Sequence, residues 1–328
     1  MSENHRLANA LNFDAEAEVA RISIRIRELL RSKINRRGLV IGISGGIDSA
    51  VSSALCVKAI GANKVFGLLM PEQDSAAGTT PLGEVVAKHL GINYEIKNIS
   101  STLEAIGCYQ WRDAAIKKLF PAYDGTWKNK IVIEGGAQGK INHFKLVVQS
   151  PDGELQSAVL PLNEYLTIVA ATNFKQRIRK TTEYFHAERL NYAVIGTPNR
   201  LEYDQGFFVK GGDGLADIKP IAHLYKTQVY ALASYLKLPD AICNAIPSTD
   251  TYSLQQGQDE FYFALPYQQM DIALWAYNHQ VPVEEVANAL GVSIEQVQFV
   301  FKDIETKRKT TAYLHLPAQL IESVELGG

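Results

Sequence analysis

Residues 40–50 read VIGISGGIDSA, an apolar strand that leads into a turn of small residues and then into a helix. Glycine lets the backbone come close to an anion, and the N–H groups at a helix start attract negative charge. The residues predicted to hold pyrophosphate in this way are Ser44, Gly45, Gly46 and Ser49. Asp48 lies in the same turn and offers a carboxylate to Mg2+. No GxxxxGK(S/T) motif occurs in the chain, which disfavours transfer of a γ-phosphate.

Helix and strand patterns alternate around this turn. They predict, in order, a helix from a cap at Asp14 to about 36–38, the strand at 40–43, a helix at 49–60, a strand at 64–70, a helix at 82–90 and a strand at 94–99. Such alternation is typical of a doubly wound, mostly parallel α/β sheet, because right-handed crossovers place helices on both faces. Ligands are expected at the carboxyl ends of the strands.

The alternation is interrupted between about residues 109 and 162, which we interpret as an insertion on the α/β core. Short strands are predicted there at 130–134, 144–149 and 154–160, and the turn sequence SPDG at 150–153 indicates a β-hairpin. A helix at 164–190, a strand at 192–196, a helix at 222–236 and a helical C-terminal part at 266–306 follow. The sequence therefore predicts one domain over residues 1–328 with an insertion.

Composition and charge limit the class of protein. The 328 residues are 46% hydrophobic with a formal net charge of −2, so no overall attraction to nucleic acid or to an anionic membrane is expected. No apolar run approaches the ~18 residues of a membrane span, and the polar N-terminus has no secretion signal. Cys56, Cys108 and Cys243 form no CxxC pair. A cytoplasmic protein without nucleic-acid or membrane partners is predicted.

Six further motifs follow in the second half of the chain. They are NFKQRIR at 173–179, GTPNRLE at 196–202, GFFVK with GDG and Asp217 at 206–217, LYKTQV at 224–229, PSTD at 247–250 and QDE at 258–260. Together with SGGIDS, this ordered series resembles the ammonia-dependent NAD+ synthetases of the N-type ATP pyrophosphatase superfamily, over about residues 38–310. The resemblance implies a Rossmann-like fold of the adenine nucleotide α-hydrolase type.

The resemblance also implies a reaction, the ATP-dependent amidation of deamido-NAD+ to NAD+. In that family the nicotinate carboxylate is adenylated, pyrophosphate leaves, and ammonia displaces AMP. The implied metal ligands for Mg2+ are Asp48 and Glu202. The implied ATP-binding residues are Ser44, Gly45, Gly46, Asp48, Ser49, Thr197, Lys226 and Ser248.

The residues that the resemblance implies for the acceptor lie mostly between the NFKQRIR and LYKTQV motifs. They are Arg177, Tyr184, Lys210, Asp213 and Asp217. Asp213 is placed near the nicotinate ring, where a carboxylate can orient or deprotonate the incoming nitrogen. The predicted catalytic residues are therefore Asp48, Asp213 and Lys226.

Members of this family are homodimers whose paired subunits build the substrate site, and a homodimer is expected here. The phosphate strand comes only one helix after the first residue, so we expect no fused glutaminase. Free ammonia, or ammonia from a separate glutaminase subunit, is the expected nitrogen source.

Two alternatives stay open because the chain departs from the family pattern. Thr249 and Thr251 replace the usual alanine and leucine near the acceptor, and the insertion at 109–162 has no counterpart that we can place. A related ATP pyrophosphatase could therefore amidate a different carboxylate. A non-catalytic nucleotide-binding protein is the second alternative, although it has little need for the full metal and phosphate set.

Residues 283–301 imitate a helix-turn-helix, with Ser293 and Gln296 as a predicted capping box. A helix that binds DNA presents basic and amide side chains to the groove, yet 293–301 contains no Arg or Lys. We therefore interpret this segment as packing. Farther on, Lys307 to Lys309 lie where the family carries HKR near ATP, with Thr306 in place of the histidine.

Overall fold

The structure of the chain is a computed structural model that describes residue 7 and residues 9–76, 78–134, 143–245, 252–254, 262–263 and 265–325. The described strands are β1 Leu39–Gly42, β2 Val65–Leu69, β3 Asn93–Ile96, β4 Lys128–Glu134, β5 His143–Gln149, β6 Leu155–Val159 and β7 Ala193–Ile195. Four of them form a parallel sheet in the order β3-β2-β1-β7. This confirms the predicted α/β fold with a parallel sheet.

The described helices include those that the sequence predicts to alternate with the parallel strands. They are α1 Ala15–Glu28, α2 Ile47–Ile60, α3 Thr79–Leu90, α4 Ser100–Ala105, α5 Cys108–Lys117, α6 Leu162–Leu190, α7 Arg200–Gln205, α8 Lys226–Tyr235, α9 Asp240–Cys243, α10 Tyr267–Asn278, α11 Val283–Leu290 and α12 Ile294–Thr311. Asp14 caps α1 through a hydrogen bond from the Ala17 N–H, as predicted, and π-helical turns at Leu29–Ile34 continue it. Among the described residues, no helix combines the length and apolar character needed to cross a bilayer.

The parallel sheet is buried on both faces. In β1, the fully buried Leu39 and Ile41 pack against α1, α2, α3 and α8, whereas Val40 packs on the opposite face against α4, α5 and α6. Successive side chains of a strand point to opposite faces, so an unbroken apolar strand needs helices on both sides. These helices cover the two faces of the sheet and leave uncovered the end at which the carboxyl ends of the strands lie.

A second sheet, antiparallel in the order β4-β5-β6, lies within residues 109–162. The hairpin predicted at 150–153 is confirmed, since β5 and β6 pair around Gly153, whose φ is 94°. Ile131, Leu146 and Val148 are fully buried against α5 and the first half of α6. Residues 252–254 lie beside β4, an edge strand of this sheet, because the Leu254 N–H donates to the Asn129 carbonyl (3.1 Å).

The structure differs from the sequence prediction at several elements, among them α5, α8 and β3. The helix α5 was not predicted, because its buried face includes the charged Arg112 and so hides the apolar spacing. The helix expected from 222 begins at Lys226, since Tyr225 is its N-cap. The strand β3 ends at Ile96 rather than Ile99, because the Asn98 side chain accepts from the Ser100 N–H (2.8 Å) and starts α4.

The C-terminal helices α10, α11 and α12 pack on one another. The capping box predicted at Ser293 and Gln296 is present, with N–H to side-chain distances of 2.9 and 3.2 Å. Val286 and Val297 are buried in the cluster that joins α11 to α12. The helix-turn-helix pattern is therefore accounted for by packing, as the sequence analysis proposed.

Candidate active site

A cavity of about 870 Å³ opens at the carboxyl ends of β1, β2 and β7. Its walls include the turn after β1, the loop after β2, and Thr197 after β7. It runs along α6 from Tyr165 to Glu183, which is about 27 Å at 1.5 Å per residue. Ligand sites of parallel sheets lie at this edge, and the volume is in the range of small-molecule sites.

The turn after β1 is closed by hydroxyl hydrogen bonds. The Ser49 hydroxyl donates to the Gly46 carbonyl (2.9 Å) and accepts from the Ser44 N–H (3.3 Å). Gly45 has a φ of 79°, and a Cβ there would lie 2.7 Å from the Thr79 carbonyl oxygen. Glycine is therefore required both for the turn and for its contact with α3. The turn ends at Gly46, the N-cap of α2, so the positive end of that helix faces the cavity.

Asp48 stands in the first turn of α2 and contacts two side chains from distant parts of the chain. Its Oδ2 accepts a hydrogen bond from Lys226 Nζ, and its Oδ1 accepts one from Asn199 Nδ2 (3.4 Å). Lys226 is almost fully buried at the start of α8. Burial lowers the pKa of its ammonium, but the carboxylates of Asp48 and Glu202 outweigh burial and raise that pKa. A permanent positive charge therefore lies at the cavity wall.

Glu202 is held at the start of α7 by a capping box with Asn199. The Asn199 N–H donates to Glu202 Oε2 (3.0 Å), and the Glu202 N–H donates to Asn199 Oδ1 (3.2 Å). Burial and the nearby charge of Asp48 together raise the pKa of Glu202 to about 8. The protonated form of Glu202 is therefore favoured near neutral pH, while the Lys226 cation balances the charge of Asp48.

This donor set fits Mg2+. Mg2+ is usually held by one or two carboxylates with the remaining positions taken by water and substrate phosphates. Asp48 and Glu202 both line the cavity beside the phosphate turn, and a divalent cation there would favour the ionised form of Glu202 against the effects of burial and of the Asp48 charge. Within the described ranges no cluster of three or more His, Cys, Asp or Glu side chains could hold a metal by itself.

The position of Lys226 is fixed by a buried carboxylate. Asp271 of α10 accepts from the N–H groups of Lys226 (3.2 Å) and Thr227 (2.7 Å), at the N-terminus of α8. Burial raises the pKa of Asp271 to about 6, while the same N–H groups and the Lys226 charge act to lower it. This carboxylate was not predicted, because α10 is more than forty positions away in sequence.

The structure brings together the predicted residues that concern ATP. Ser44, Gly45, Gly46, Asp48, Ser49, Thr197, Glu202, Lys226 and also Asp213 line the cavity. Ser248, with the PSTD and QDE motifs, lies outside the described residues. Lys307 also lines the cavity, where it donates to Asp303 Oδ2 (2.6 Å) and to the Tyr262 carbonyl.

The other acceptor residues are not among the described residues that line the cavity of this chain. Arg177 is exposed, and its Nε donates to the Lys210 carbonyl (3.3 Å). Lys210 is also exposed and donates to the Tyr313 carbonyl (2.8 Å). Tyr184 donates to Asp217 Oδ1 (3.4 Å). These four residues therefore form two hydrogen-bonded pairs, and none of the four is among the residues that line the cavity.

The sequence analysis missed several residues that shape the site. Asn199 could have been found, because Asn three positions before Glu is a capping-box signal. The cavity-lining pair Lys180 and Glu183 was also missed, since a Lys and a Glu at i and i+3 of a helix more often lie on a solvated face. Burial of that helix face comes only from the tertiary fold.

Comparison with known proteins supports a single family. The sequence model of the NAD synthase family matches residues 18–121 and 140–312, so the whole of β4 falls in the unmatched gap. An NH(3)-dependent NAD(+) synthetase of Rhizobium meliloti (strain 1021) is 54% identical over 319 residues, covering 97% of this chain and 95% of that protein. A protein of the same name from Thermotoga neapolitana is 35% identical and covers 85% of this chain and 91% of its own length.

Solved structures share the fold. NMN synthetase from Francisella tularensis superposes with a TM-score of 0.65 at 22% identity, over 94% of this chain and 99% of that one. NH3-dependent NAD synthetase from Campylobacter jejuni superposes with a TM-score of 0.61 at 22% identity, over 94% of this chain and all of that one. The match of the family's sequence model and the high identity to curated relatives together establish that the chain belongs to the NAD synthase family.

Proposed function

We propose that this chain is an ATP-dependent ligase that amidates deamido-NAD+ to NAD+ with ammonia and releases AMP and pyrophosphate. The observation that carries the proposal is the phosphate turn with Asp48, Glu202 and Lys226 at one end of the cavity. Family membership and the 54% identity to a protein named NH(3)-dependent NAD(+) synthetase support the choice of reaction.

In the first step, the nicotinate carboxylate attacks the α-phosphorus of ATP, and pyrophosphate leaves. Both partners are anions, so positive charge near the α-phosphate is the main requirement. Lys226 supplies a buried ammonium, and the helix start at Gly46 supplies N–H groups for the departing pyrophosphate. Mg2+ held by Asp48 and Glu202 would supply further charge to the phosphate oxygens.

In the second step, ammonia attacks the adenylated carbonyl. The C–N bond forms, the C–O bond to AMP breaks with its electron pair on AMP, and one proton leaves the nitrogen. Asp213 faces the cavity and is held by the Val209 N–H (2.8 Å). Its carboxylate is our candidate for the group that orients the nitrogen and takes the proton.

The direct test mixes the protein with ATP, Mg2+, ammonium and deamido-NAD+. We expect AMP, pyrophosphate and NAD+ to form in equal amounts. Formation of ADP would contradict the proposal, because it places the cleavage at the γ-phosphate. If AMP forms only when another carboxylic acid is supplied, that acid is the acceptor. If ATP binds without turnover, the chain is a non-catalytic nucleotide-binding protein.

We also propose that the chain acts as a homodimer whose second subunit completes the acceptor site. Arg177, Tyr184 and Lys210 lie outside the cavity of their own chain, on a surface that continues along α6. The same helix exposes Leu162, 69% exposed, and Phe185, 61% exposed. Large apolar side chains exposed beside polar ones are typical of a subunit interface.

Mixing two inactive variants tests this arrangement. Arg177→Ala removes the proposed acceptor contact, and Lys226→Met removes the ATP contact. If each site combines Lys226 of one subunit with Arg177 of the other, mixed dimers contain one intact site. Random re-association should then restore about a quarter of the wild-type rate. A mixture with only the summed rates of the two parents would contradict a shared site.

The second sheet contributes to the cavity wall, and we propose that it contacts a bound nucleotide. Phe144 of β5 stacks on Tyr165 of α6, with ring centroids 4.2 Å apart, and both line the cavity with Ile133. Aromatic side chains stack on nucleobases with about 1–3 kcal/mol each. Residues 109–162 would then be an insertion that serves the site within a single domain.

Phe144→Ala should raise the KM of ATP or of the dinucleotide about tenfold, which corresponds to the lower half of that stacking energy, while kcat changes little. Steady-state kinetics with each substrate varied in turn will measure it. Val159→Ala is the matched control, because Val159 lies on β6 of the same sheet and its side chain is exposed. Unchanged KM values for both substrates in the Phe144 variant would show that the sheet does not contact the ligands.

The expected setting of the enzyme is a reducing cytoplasm. Cys56, Cys108 and Cys243 are all free thiols, and disulfides are rare in that compartment. Free ammonia is the proposed nitrogen donor, and a separate glutaminase subunit is the alternative. The assay can be run with a glutaminase and glutamine in place of ammonium. Comparing the rate of NAD+ formation with the rate measured with ammonium distinguishes ammonia delivered by the glutaminase from ammonia that diffuses through solution.

A further inference from the structure

Asn129 of β4 holds a segment from a distant part of the chain. Its backbone N–H donates to the Ser253 hydroxyl (2.9 Å), and its carbonyl accepts from the Leu254 N–H (3.1 Å). The side-chain amide of Asn129 donates to the same Ser253 hydroxyl (3.3 Å). Asn129 and Ser253 are 124 positions apart in sequence. These three hydrogen bonds therefore fasten residues 252–254 to the second sheet.

The place of Asn129 at the edge of the sheet explains the two backbone hydrogen bonds. β4 is an edge strand of the order β4-β5-β6, so alternate N–H and carbonyl groups along it point away from β5. Residues 252–254 satisfy both backbone groups of Asn129. This part of the contact serves the sheet itself.

The buried side chain of Asn129 requires a separate explanation. Asn129 is 1% exposed, and its amide nitrogen donates to the Tyr123 hydroxyl (2.9 Å) as well as to Ser253. Removing an amide from water costs free energy that hydrogen bonds only offset, so an apolar side chain would cover the edge at least as well. Hydrogen bonds are directional, which apolar contacts are not. The amide therefore favours one fixed placement of Ser253.

Tyr252, the neighbour of Ser253, connects this contact to the cavity. Tyr252 is 5% exposed, lines the cavity and packs in the buried cluster that contains Ile131 of β4. Asn129, Ile131 and Ile133 share one face of β4, because successive side chains of a strand alternate. Ile133 lines the cavity, whereas Asn129 is not among the described residues that do so. Asn129 thus acts on the cavity wall through Ser253 and Tyr252.

The contact joins a part of the chain that the family's sequence model matches to a part that it does not match. β4 lies in the gap between the matched ranges 18–121 and 140–312, whereas residues 252–254 lie inside the second of these ranges. Family membership therefore does not by itself account for Asn129. Its role has to be inferred from its contacts in this chain.

We propose that Asn129 is a positioning residue, which holds residues 252–254 so that Tyr252 contacts the base of a bound nucleotide. Phe144 and Tyr165 line the same cavity, and aromatic rings stack on nucleobases. The inference rests on the proposed function and gives β4 a task in it. The base belongs either to ATP or to the dinucleotide, and the KM values of the two substrates distinguish them.

Removing either partner of the hydrogen bond between Asn129 and Ser253 tests the inference. Asn129→Ala removes the side-chain donor, and Ser253→Ala removes the acceptor. Each change should raise the KM of one nucleotide substrate by about threefold to tenfold, the effect of one lost hydrogen bond, while kcat changes by less than about twofold. Phe144→Ala should raise the KM of the same substrate. Steady-state kinetics with ATP and deamido-NAD+ varied in turn will measure these values.

A double variant and two controls separate this role from a merely structural one. If the two side chains act through their hydrogen bond, Asn129→Ala combined with Ser253→Ala should raise that KM by less than the product of the two single effects. Ser253→Thr keeps the hydroxyl and should retain the wild-type KM. Lys128→Ala is the matched control and should change neither KM, because Lys128 is the exposed neighbour of Asn129 on β4.

Unchanged KM values for both nucleotides in the two single variants would overturn the inference, as would a double variant whose KM rises by the full product. A fall in kcat without a change in KM would also contradict it, because the proposed contact acts in binding. If Asn129→Ala does not fold, the KM values of Ser253→Ala decide. Failure of the proposed function looks different, because the wild-type protein would then make no NAD+ from deamido-NAD+ at all.

Discussion

Lys226→Met should lower the rate of AMP formation by roughly 10²–10³-fold, the loss measured when one charge-stabilising donor is removed from an active site. Lys226 is a buried cation, and its Nζ contacts Asp48 in the first turn of the helix that follows the phosphate turn. Without it, the negative charge that develops as pyrophosphate leaves loses a buried ammonium that stabilises it. Asp48 also loses its ammonium partner, which adds to the repulsion of ATP.

Quenched-flow measurement of AMP under saturating ATP will give this effect on kcat directly. Lys58→Met, on the exposed face of α2, is the matched control and should keep the wild-type rate. A Lys226 variant with full adenylation would remove this residue from the catalytic set. If the KM of ATP rises while kcat is unchanged, Lys226 acts in binding rather than in the transition state.

The part of the site that could be predicted from sequence is the part that is local in the chain. The phosphate turn consists of residues within one strand-turn-helix unit, so their types and spacing state the chemistry. The pairing of Lys226 with Asp48 spans 178 positions, and only the family resemblance placed the two residues together. The parallel direction of the strands could likewise be derived from the alternation of helices and strands.

What could not be predicted depends on which helix faces the fold buries. The sequence analysis took NFKQRIR at 173–179 as one motif, without a prediction of which of its basic side chains is buried. In the structure, Lys175 is almost fully buried, whereas Arg177, two positions later, is exposed. The burial of Lys175 arises because α5 and the loop after β2 cover that side of α6, and neither contact has a local sequence signal.

These contacts form a buried charge cluster that links residues 109–162 to the core. Lys175 Nζ lies 3.0 Å from Glu72 Oε1 and 2.6 Å from Asp74 Oδ2, and Arg112 of α5 also contacts Asp74. Tyr109 adds a hydrogen bond to Glu72 Oε2 (2.8 Å). The loop that carries Glu72 and Asp74 continues into residues that line the cavity, so this cluster fixes one wall of the site.

Lys175→Met should lower the free energy of unfolding by about 3–5 kcal/mol, the usual cost of removing one partner from a buried ion pair. Among the described residues of the cluster, Arg112 would then still contact Asp74, whereas Glu72 would lose its ion pair with Lys175. Urea unfolding at pH 7 and at a fixed protein concentration will measure the change. Lys118→Met removes an exposed ion pair instead and should leave the unfolding midpoint unchanged.

The pH dependence of this loss gives a second, independent check. Burial alone would raise the pKa of Asp74, but Lys175 and Arg112 outweigh it and lower that pKa below the ordinary value of 3.8. A lowered folded-state pKa contributes stability above the unfolded-state pKa, and this contribution is lost as pH falls through the folded-state pKa. The difference between wild type and Lys175→Met should therefore shrink as the pH falls below about 4, near the ordinary pKa of aspartate. A difference that stays constant from pH 7 to pH 3 would mean that Lys175 stabilises the fold by packing of its carbon chain rather than by its charge.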